Sequence, residues 1–256
     1  DGDAWVLNGQ KVWTSGAHFA DYGMIVARSD PTALKHKGLT YFYVDMKTPG
    51  IEAKPIKQIS GSANFNEVFF NDVRIPDSQR IGAEGDGWKV SLTTLMNERL
   101  AVGDPPGLDF DQIFEASKEI EVEDGLAVKN SEVRQKMADW YIQSRGLQYT
   151  KYRSMTALSK GQTPGPELSI SKLVTASKMQ DVSSYALDLM DMSGMVHQDQ
   201  NPILKNLFQN GYFFSAAMRI AGGTDEVLRN IIAERVLGLP QDERSDKKLP
   251  FNELPS

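Results

Sequence analysis

Three short stretches carry residue types whose chemistry goes beyond packing. Near the C-terminus, Gly222-Gly223-Thr224-Asp225-Glu226 leads into an apolar-periodic run that ends at Val236. Thr224 is a suitable N-cap, because its hydroxyl can accept a hydrogen bond from an orphan N–H of the first helical turn. Asp225 and Glu226 sit where the helix dipole favours negative charge. A glycine-lined helix start of this kind can receive an anion such as a pyrophosphate; the same residues also make an ordinary tight turn before a core helix. The second stretch, Gly87 to Gly103, puts Glu98 on a predicted helix. Thr94, Leu95, Ala101 and Val102 lie three or four positions away and share its face. A carboxylate on a partly apolar face can be desolvated, which raises its pKa toward a value useful to a general base. The alternative is a surface Glu98 paired with a nearby cation. The third stretch, Lys11-Val12-Trp13-Thr14-Ser15-Gly16-Ala17, combines an indole with two hydroxyls. An indole can pack against a flat ring, and a hydroxyl can donate to an acceptor nitrogen. Burial statistics alone read Trp13 as a sheet-core aromatic.

These residues need a scaffold. Residues 1–80 read as strand-rich. Trp5-Val6-Leu7, Asn8-Gly9 and Gln10 to Trp13 predict a hairpin, because Asn-Gly readily supplies the two positive φ angles of a type I′ turn. Tyr22 to Arg28, Leu39 to Asp45, Ile51 to Ile56 and Glu67 to Arg74 are further strands, with Ile75-Pro76 closing the last. Short strands at this spacing, separated by Gly, Pro, Asn and Asp, predict an antiparallel sandwich or small barrel. No GxGxxG follows a strand, so a Rossmann site has no support. Gly82 to Gly87 reads as a glycine-rich hinge.

Beyond it the period becomes helical. Trp88, Leu92, Leu95 and Val102 mark the first helix. Pro105 and Pro106 interrupt it, and Asp109 to Glu121 resumes helix before an acidic turn at Glu121 to Gly125. Ser131 to Leu158 is a long helix with Val133, Met137, Trp140, Tyr141, Ser144 and Leu147 at helical spacing, ended by the turn Lys160 to Pro166. Glu167 to Met192 is a second, carrying Leu173, Ala176, Met179, Val182, Ala186 and Leu189. Pro202 to Ala221 is shorter, and the helix that starts at Thr224 is stopped by Gly238 and Pro240. Long helices with short links predict a bundle. The fold class is therefore α+β: an antiparallel β-sandwich or barrel followed by an antiparallel helical bundle. Gln241 to Ser256 is charged and proline-containing, and it is predicted to wrap on the surface or be disordered.

Composition narrows the chemistry. The 256 residues contain no cysteine, which removes disulfides, thiolate catalysis and cysteine-bound metal. His18, His36 and His197 are scattered, with no HExxH and no close pair, so a histidine-based metal site is not expected. A net charge of -6 argues against general nucleic-acid binding, and no apolar run is long enough to span a bilayer. The chain has no signal peptide and no initiator methionine, and it reads as part of a longer polypeptide. A cytoplasmic bacterial location is expected, with the mitochondrial matrix as the alternative.

Gly-Gly-Thr-Asp-Glu-Val followed by Arg-Asn-Ile-Ile-Ala-Glu-Arg-Val-Leu-Gly-Leu-Pro resembles the C-terminal signature of the acyl-CoA dehydrogenases, flavoproteins that desaturate acyl-CoA thioesters. The Trp13 segment resembles the flavin-contact loop of that family's middle domain. Asn66-Glu67-Val68-Phe69-Phe70-Asn71-Asp72-Val73-Arg74-Ile75-Pro76 resembles the last strand of the same domain. The resemblance implies a partial middle β-domain over 1–80, a C-terminal helical domain over 81–240 and a tail over 241–256, with the N-terminal helical domain absent. It implies FAD as cofactor. Trp13 would lie beside the isoalloxazine ring, Ser15 would bond flavin N5 with Thr14 as its neighbour, and Gly222, Gly223, Thr224 and Glu226 would approach the nucleotide part.

In most members the base that takes the α-proton immediately precedes the Gly-Thr of the signature. Gly222 holds that place here. A smaller group, resembling isovaleryl- and long-chain-acyl-CoA dehydrogenases, has glycine there and puts the glutamate just before an arginine on the first long helix. Asn97-Glu98-Arg99 matches that arrangement. The resemblance thus implies Glu98 as base and Arg99 as a substrate-binding or charge-tuning neighbour. It also implies an acyl-CoA substrate, an electron-transferring flavoprotein as electron acceptor, and a homo- or hetero-oligomer. Two segments depart from the family. Asp104-Pro105-Pro106-Gly107-Leu108 replaces an Arg-x-x-Phe-Gly motif, and Asp191-Met192-Ser193-Gly194-Met195 keeps one glycine of a glycine-rich FAD segment. With these departures the chain resembles a bacterial offshoot of the family, some members of which act on bulky sterol side chains as mixed oligomers. The departures favour, and Glu98 disfavours, the alternative of a non-catalytic structural subunit of a mixed oligomer. An acyl-CoA oxidase is a second alternative, because oxygen access to reduced flavin is not written in these motifs.

Overall fold

Strand β5, Phe65–Pro76, organises the first half of the chain. In the computed structural model, which describes residues 2–101, 108–162, 165, 168–196, 203–243 and 245–254, β5 lies between β1 (Ala4–Ser15) and β4 (Ile51–Ile56), antiparallel to each. A second antiparallel sheet joins β2 (Tyr22–Arg28), β3 (Leu39–Asp45) and the short β6 (Arg80–Ile81). Val68, Phe70, Val73 and Ile75 from the first sheet and Ile25, Phe42 and Val44 from the second form one buried cluster. Alternation along the strands puts these residues on the inner faces. The sheets thus make the expected sandwich.

The predicted hairpin at Asn8-Gly9 is replaced by one continuous strand. Leu7 pairs with Val73 and Gly9 with Phe70, so β5 carries one extra residue at this point. This is a β-bulge. Gly9 and Asp72 take positive φ, and the Asn8 amide donates to Asp72 Oδ1 at 2.9 Å while Asn8 Oδ1 accepts the Asp72 N–H at 2.8 Å. Asn-Gly therefore supplies a kink rather than a turn, because a twelve-residue partner strand is available to pair both of its sides. The bulge also switches the inward side of β5, from Asn66, Val68 and Phe70 to Val73 and Ile75.

Helix α1, Gly87–Ala101, packs on β3 and β2. A Cβ on Gly87 would stand 2.7 Å from backbone atoms of Leu39 and Thr40, so glycine permits this close approach. Gly85 N–H donates to Thr40 Oγ1 at 3.2 Å, and the His36 ring stacks on Trp88 at 4.2 Å. The stretch read as a hinge is pinned to the sheet. The tail wraps on this same unit: Phe251 N–H donates to Ala33 O at 3.2 Å, Arg28 sits 3.8 Å over the Phe251 ring, and Lys35 pairs with Asp246 at 2.8 Å.

The second compact unit contains the remaining helices. These are α2 (Phe110–Ser117), α3 (Ser131–Ser159), α4 (Leu168–Leu189), the short α5 (Met192–Met195), α6 (Ile203–Met218) and α7 (Asp225–Ile231). The predicted acidic turn is a small hairpin, β7 (Glu121–Val122) with β8 (Gly125–Leu126). Ile113, Val133, Met137, Trp140, Met179, Val182, Ala186 and Phe208 form the buried core. Tyr141, expected with them, is exposed. Helix α4 ends before Met192, where Asp191 takes positive φ and Gln209 Nε2 donates to the Gly194 and Val196 carbonyls at 2.8 and 3.1 Å. After Ile231 the helix widens into a π turn over Ile232–Val236, and Gly238 at φ 70° follows. Among the described residues, no helix is long and apolar enough to cross a membrane.

Candidate active site

The Trp13 segment lies at a second irregularity of β1. Lys11 pairs with Val68 and Thr14 with Asn66, leaving one residue of β1 unmatched. Trp13 itself has φ 60°, an uncommon conformation for a bulky residue. The bulge turns its indole out of the sheet, to 63% exposure. The core-aromatic reading is thereby overturned: the ring touches the sheet through an edge-on contact with Phe65, at 6.2 Å between centroids. Ser15 is exposed and Thr14 half-buried. What holds the bulge is Asn66, fully buried on β5. Its Nδ2 donates to Thr14 O at 2.9 Å, and its Oδ1 lies 3.0 Å from His18 Nδ1.

Glu98 and Arg99 lie on α1, one helical turn from Leu95. Their side chains lie outside the described residues, as do residues 102–107, which include Pro105 and Pro106, and His197. On the described part of the helix, Trp88, Leu92 and Leu95 are exposed. Of the residues expected to share the face of Glu98, Leu95 is exposed and Thr94 half-buried, while the Ala101 side chain and Val102 lie outside the described residues.

The glycine signature forms an open turn in the second unit. Gly222 and Gly223 have φ of 67° and 105°, both in the region that favours glycine. A Cβ on Gly222 would meet nothing within 4 Å. Thr224 caps α7 as expected, its hydroxyl oxygen accepting the Val227 N–H at 3.2 Å. Glu226 is exposed, and its carboxyl is held below the usual range by its own backbone N–H and by the Thr224 hydroxyl. The helix start thus already carries one carboxylate on its donors.

Asp225, predicted to answer the helix dipole, does something different. It is 2% exposed and accepts from Arg219 Nε at 2.7 Å, while Lys172 Nζ stands 3.9 Å from its other oxygen. Lys172 also donates to Gly223 O at 2.7 Å, and Arg219 Nη1 to Gln180 Oε1 at 2.7 Å. Burial pushes the Lys172 ammonium pKa down, against the pull of Asp225. Two cations on α4 and α6's C-terminal side thus tie the glycine turn to the bundle. Sequence reading passed over Lys172, Arg219 and Asn66. Their partners are 53, 6 and 52 positions away in the chain, and no local period marks them.

Within the first unit the structure gathers Trp13, Thr14 and Ser15 on one bulge; within the second it gathers Gly222, Gly223, Thr224 and Glu226 on one turn. The comparisons match both units. The family model described as acyl-CoA dehydrogenase, middle domain, matches residues 1–73, and the one described as acyl-CoA dehydrogenase, C-terminal domain, matches residues 85–237. The chain belongs to the acyl-CoA dehydrogenase family. It is 36% identical over 239 residues to acyl-CoA dehydrogenase FadE34 of Mycobacterium tuberculosis, which covers 93% of this chain and 32% of that protein. It is 36% identical over 245 residues to acyl-CoA dehydrogenase IpdE1 of the same organism, covering 95% of this chain and 62% of that protein. Among solved structures, the ChsE4-ChsE5 complex from Mycobacterium tuberculosis superposes with a TM-score of 0.82 at 25% identity, over 94% of this chain and 63% of the matched one. The chain therefore spans roughly a third to three fifths of these curated relatives.

Proposed function

We propose that the protein containing this chain is an FAD-dependent acyl-CoA dehydrogenase in which Glu98 is the α-proton base. The observation that carries the reading is the match of residues 1–73 and 85–237 to the middle and C-terminal domains of one family. In this reading residues 1–80 are part of the middle β-domain, 81–240 the helical domain and 241–256 its tail. The residues present suit a flavin. An indole turned outward by a bulge offers a flat apolar face, and the adjacent Ser15 hydroxyl offers a donor. The open Gly222–Gly223 turn lets backbone approach a ligand closely.

FAD, when bound, supplies the acceptor at N5 for the hydride leaving the substrate β-carbon. The chain's residues do the rest. Glu98 removes the α-proton of the thioester, for which an apolar, water-poor setting raises carboxylate basicity. Arg99 binds substrate or tunes the charge of Glu98. Trp13 would lie beside the ring and Ser15 would donate to its N5, with Thr14 as the neighbouring residue of the same loop. Gly222, Gly223, Thr224 and Glu226 meet the nucleotide part. Glu226 is suited to accept from ribose or ribityl hydroxyls, since its carboxylate disfavours a phosphate at the same donors. Leu92 and Leu95, exposed in this chain, are available to cover an acyl group or a neighbouring subunit. The partners of this reading are an acyl-CoA, an electron-transferring flavoprotein and further subunits, in a bacterial cytoplasm.

The test is product formation by the full-length protein. With an acyl-CoA and an artificial electron acceptor it should yield the 2-enoyl-CoA, and Glu98→Gln should lower the rate by at least about a hundredfold, the scale of a general base. Enoyl-CoA formed at the native rate by Glu98→Gln removes Glu98 from the role. Oxygen consumption without an acceptor would identify an oxidase instead. The superposition on a complex of two different chains favours one second reading, a non-catalytic subunit of a mixed oligomer. That reading requires the purified full-length chain to remain inactive until a partner chain is added.

A further inference from the structure

Asn66 is fully buried beside the Trp13 bulge, and its bonds are directional. Thr14 C=O can only accept, so the Asn66 NH2 group must face it. That leaves Asn66 Oδ1 toward His18, whose Nδ1 must then carry the proton. His18 donates to Asn66 and Asn66 to the Thr14 carbonyl, a relay that runs from the exposed His18 through the buried amide to the end of β1. The Gly16 N–H, which donates to Asn64 O at 2.9 Å, fixes the next residue on the same side. Between these anchors and Lys11, Trp13 is held at φ 60°. A bulky residue in that region costs roughly 1–2 kcal/mol, and it persists only where its surroundings over-determine it. The indole itself adds an edge-on contact with Phe65, and most of its surface faces water.

We propose that Asn66 is a positioning residue for the flavin ring: by holding the Thr14 carbonyl inward it maintains the bulge that presents Trp13 and Ser15 outward. This rests on the reading that the Trp13 loop meets FAD. Without the Asn66 donor the Thr14 carbonyl loses its buried partner, and the bulge that presents Trp13 and Ser15 is held less firmly against the cost of φ 60° at Trp13. Asn66 then acts on the cofactor only through those two residues, which separates this role from a general contribution to folding.

The experiment uses the full-length protein and reads the dissociation constant of FAD, together with the visible spectrum of the bound flavin. Asn66→Leu keeps the branched outline of the side chain and removes the donor. It should weaken FAD about tenfold and shift the flavin absorption bands. In a Trp13→Ala/Ser15→Ala background, the same change should weaken FAD by no more than about twofold, because the groups it positions are gone. Equal losses in the two backgrounds would show a merely structural effect and overturn the proposal, as would native affinity in Asn66→Leu. If Asn66→Leu does not fold, the same pair of measurements on Asn66→Asp decides: the carboxylate keeps the His18 contact but cannot donate to Thr14 O. Absence of FAD binding by the unaltered protein overturns the flavin reading itself, whereas binding indifferent to Asn66 overturns this role alone.

Discussion

The helical unit contains a buried cation whose loss and whose partner's loss should differ in cost. Lys178 Nζ donates to Asp109 Oδ1 and to Ser144 Oγ, each at 2.8 Å, and the Ser144 hydroxyl also bonds Asp109. The Lys178 side chain is 2% exposed and that of Asp109 44%. Burial works to raise the Asp109 carboxyl pKa, but Lys178, Ser144 and the Phe110 N–H outweigh it and hold it below 3.8. Lys178→Met removes the ammonium and leaves a carboxylate that water and two donors still serve; about 1 kcal/mol is expected, the upper end for an exposed pair. Asp109→Asn leaves a buried ammonium without its counter-charge, which costs about 3 kcal/mol, the lower end for breaking a buried pair because Ser144 and the new amide oxygen still accept. At this unit size each kcal/mol moves the melting temperature by about 3–4 °C. Circular-dichroism melts should therefore show drops near 3–4 °C for Lys178→Met and about 10 °C for Asp109→Asn. A Lys178→Met loss equal to or larger than that of Asp109→Asn would refute the assignment of the buried partner.

Four further outcomes follow from single positions. Gly87→Ala should lower stability by about 1 kcal/mol, since overpacking against backbone at 2.7 Å outweighs the gain in helix propensity; Gly146→Ala on α3, where a Cβ meets nothing within 4 Å, should raise it by about 0.5–1 kcal/mol in the same melts. Arg80 and then Trp5 hold the Asp77 carboxyl at about 2, below its usual 3.8. A carboxylate depressed in the folded state stabilises fully above the unfolded value and loses that contribution as pH falls toward 2. Arg80→Met should therefore modestly lower the melting temperature at pH 7, and the difference from the native protein should shrink as pH falls through this window toward 2. Trp13→Gly should raise stability by about 1 kcal/mol, because glycine takes φ 60° without strain and the lost indole is largely exposed, while weakening FAD binding.

Much of the scaffold was legible because it depends on local period. Tyr22–Arg28, Leu39–Asp45 and Ile51–Ile56 alternate between Gly- and Pro-containing turns, and the strands fall on those residues. The Thr224 cap and the Gly238 stop are likewise local signals with local physics. The Asn8-Gly9 kink was misread because the same dipeptide serves a turn or a bulge, and only the length of the partner strand decides. Trp13 was readable as a chemical group but not as an exposed one, since its exposure comes from a register slip between strands about fifty residues apart. Lys178 and Lys172 look like solvated charges in the sequence of α4. Only tertiary contact gives them a reason to leave water, Lys178 fully through Asp109 and Lys172 in part through Gly223 and Asp225. Glu98 rests on the family resemblance and on its place along α1.

The measurement that bears most directly on the account is anaerobic bleaching of the bound flavin in the full-length protein, compared with Glu98→Gln at equal FAD content. Adding a series of acyl-CoA thioesters should bleach the native protein with at least one of them. Glu98→Gln should keep its flavin spectrum and stay oxidised with all of them. Bleaching of Glu98→Gln at the native rate and extent would contradict the assignment of the base.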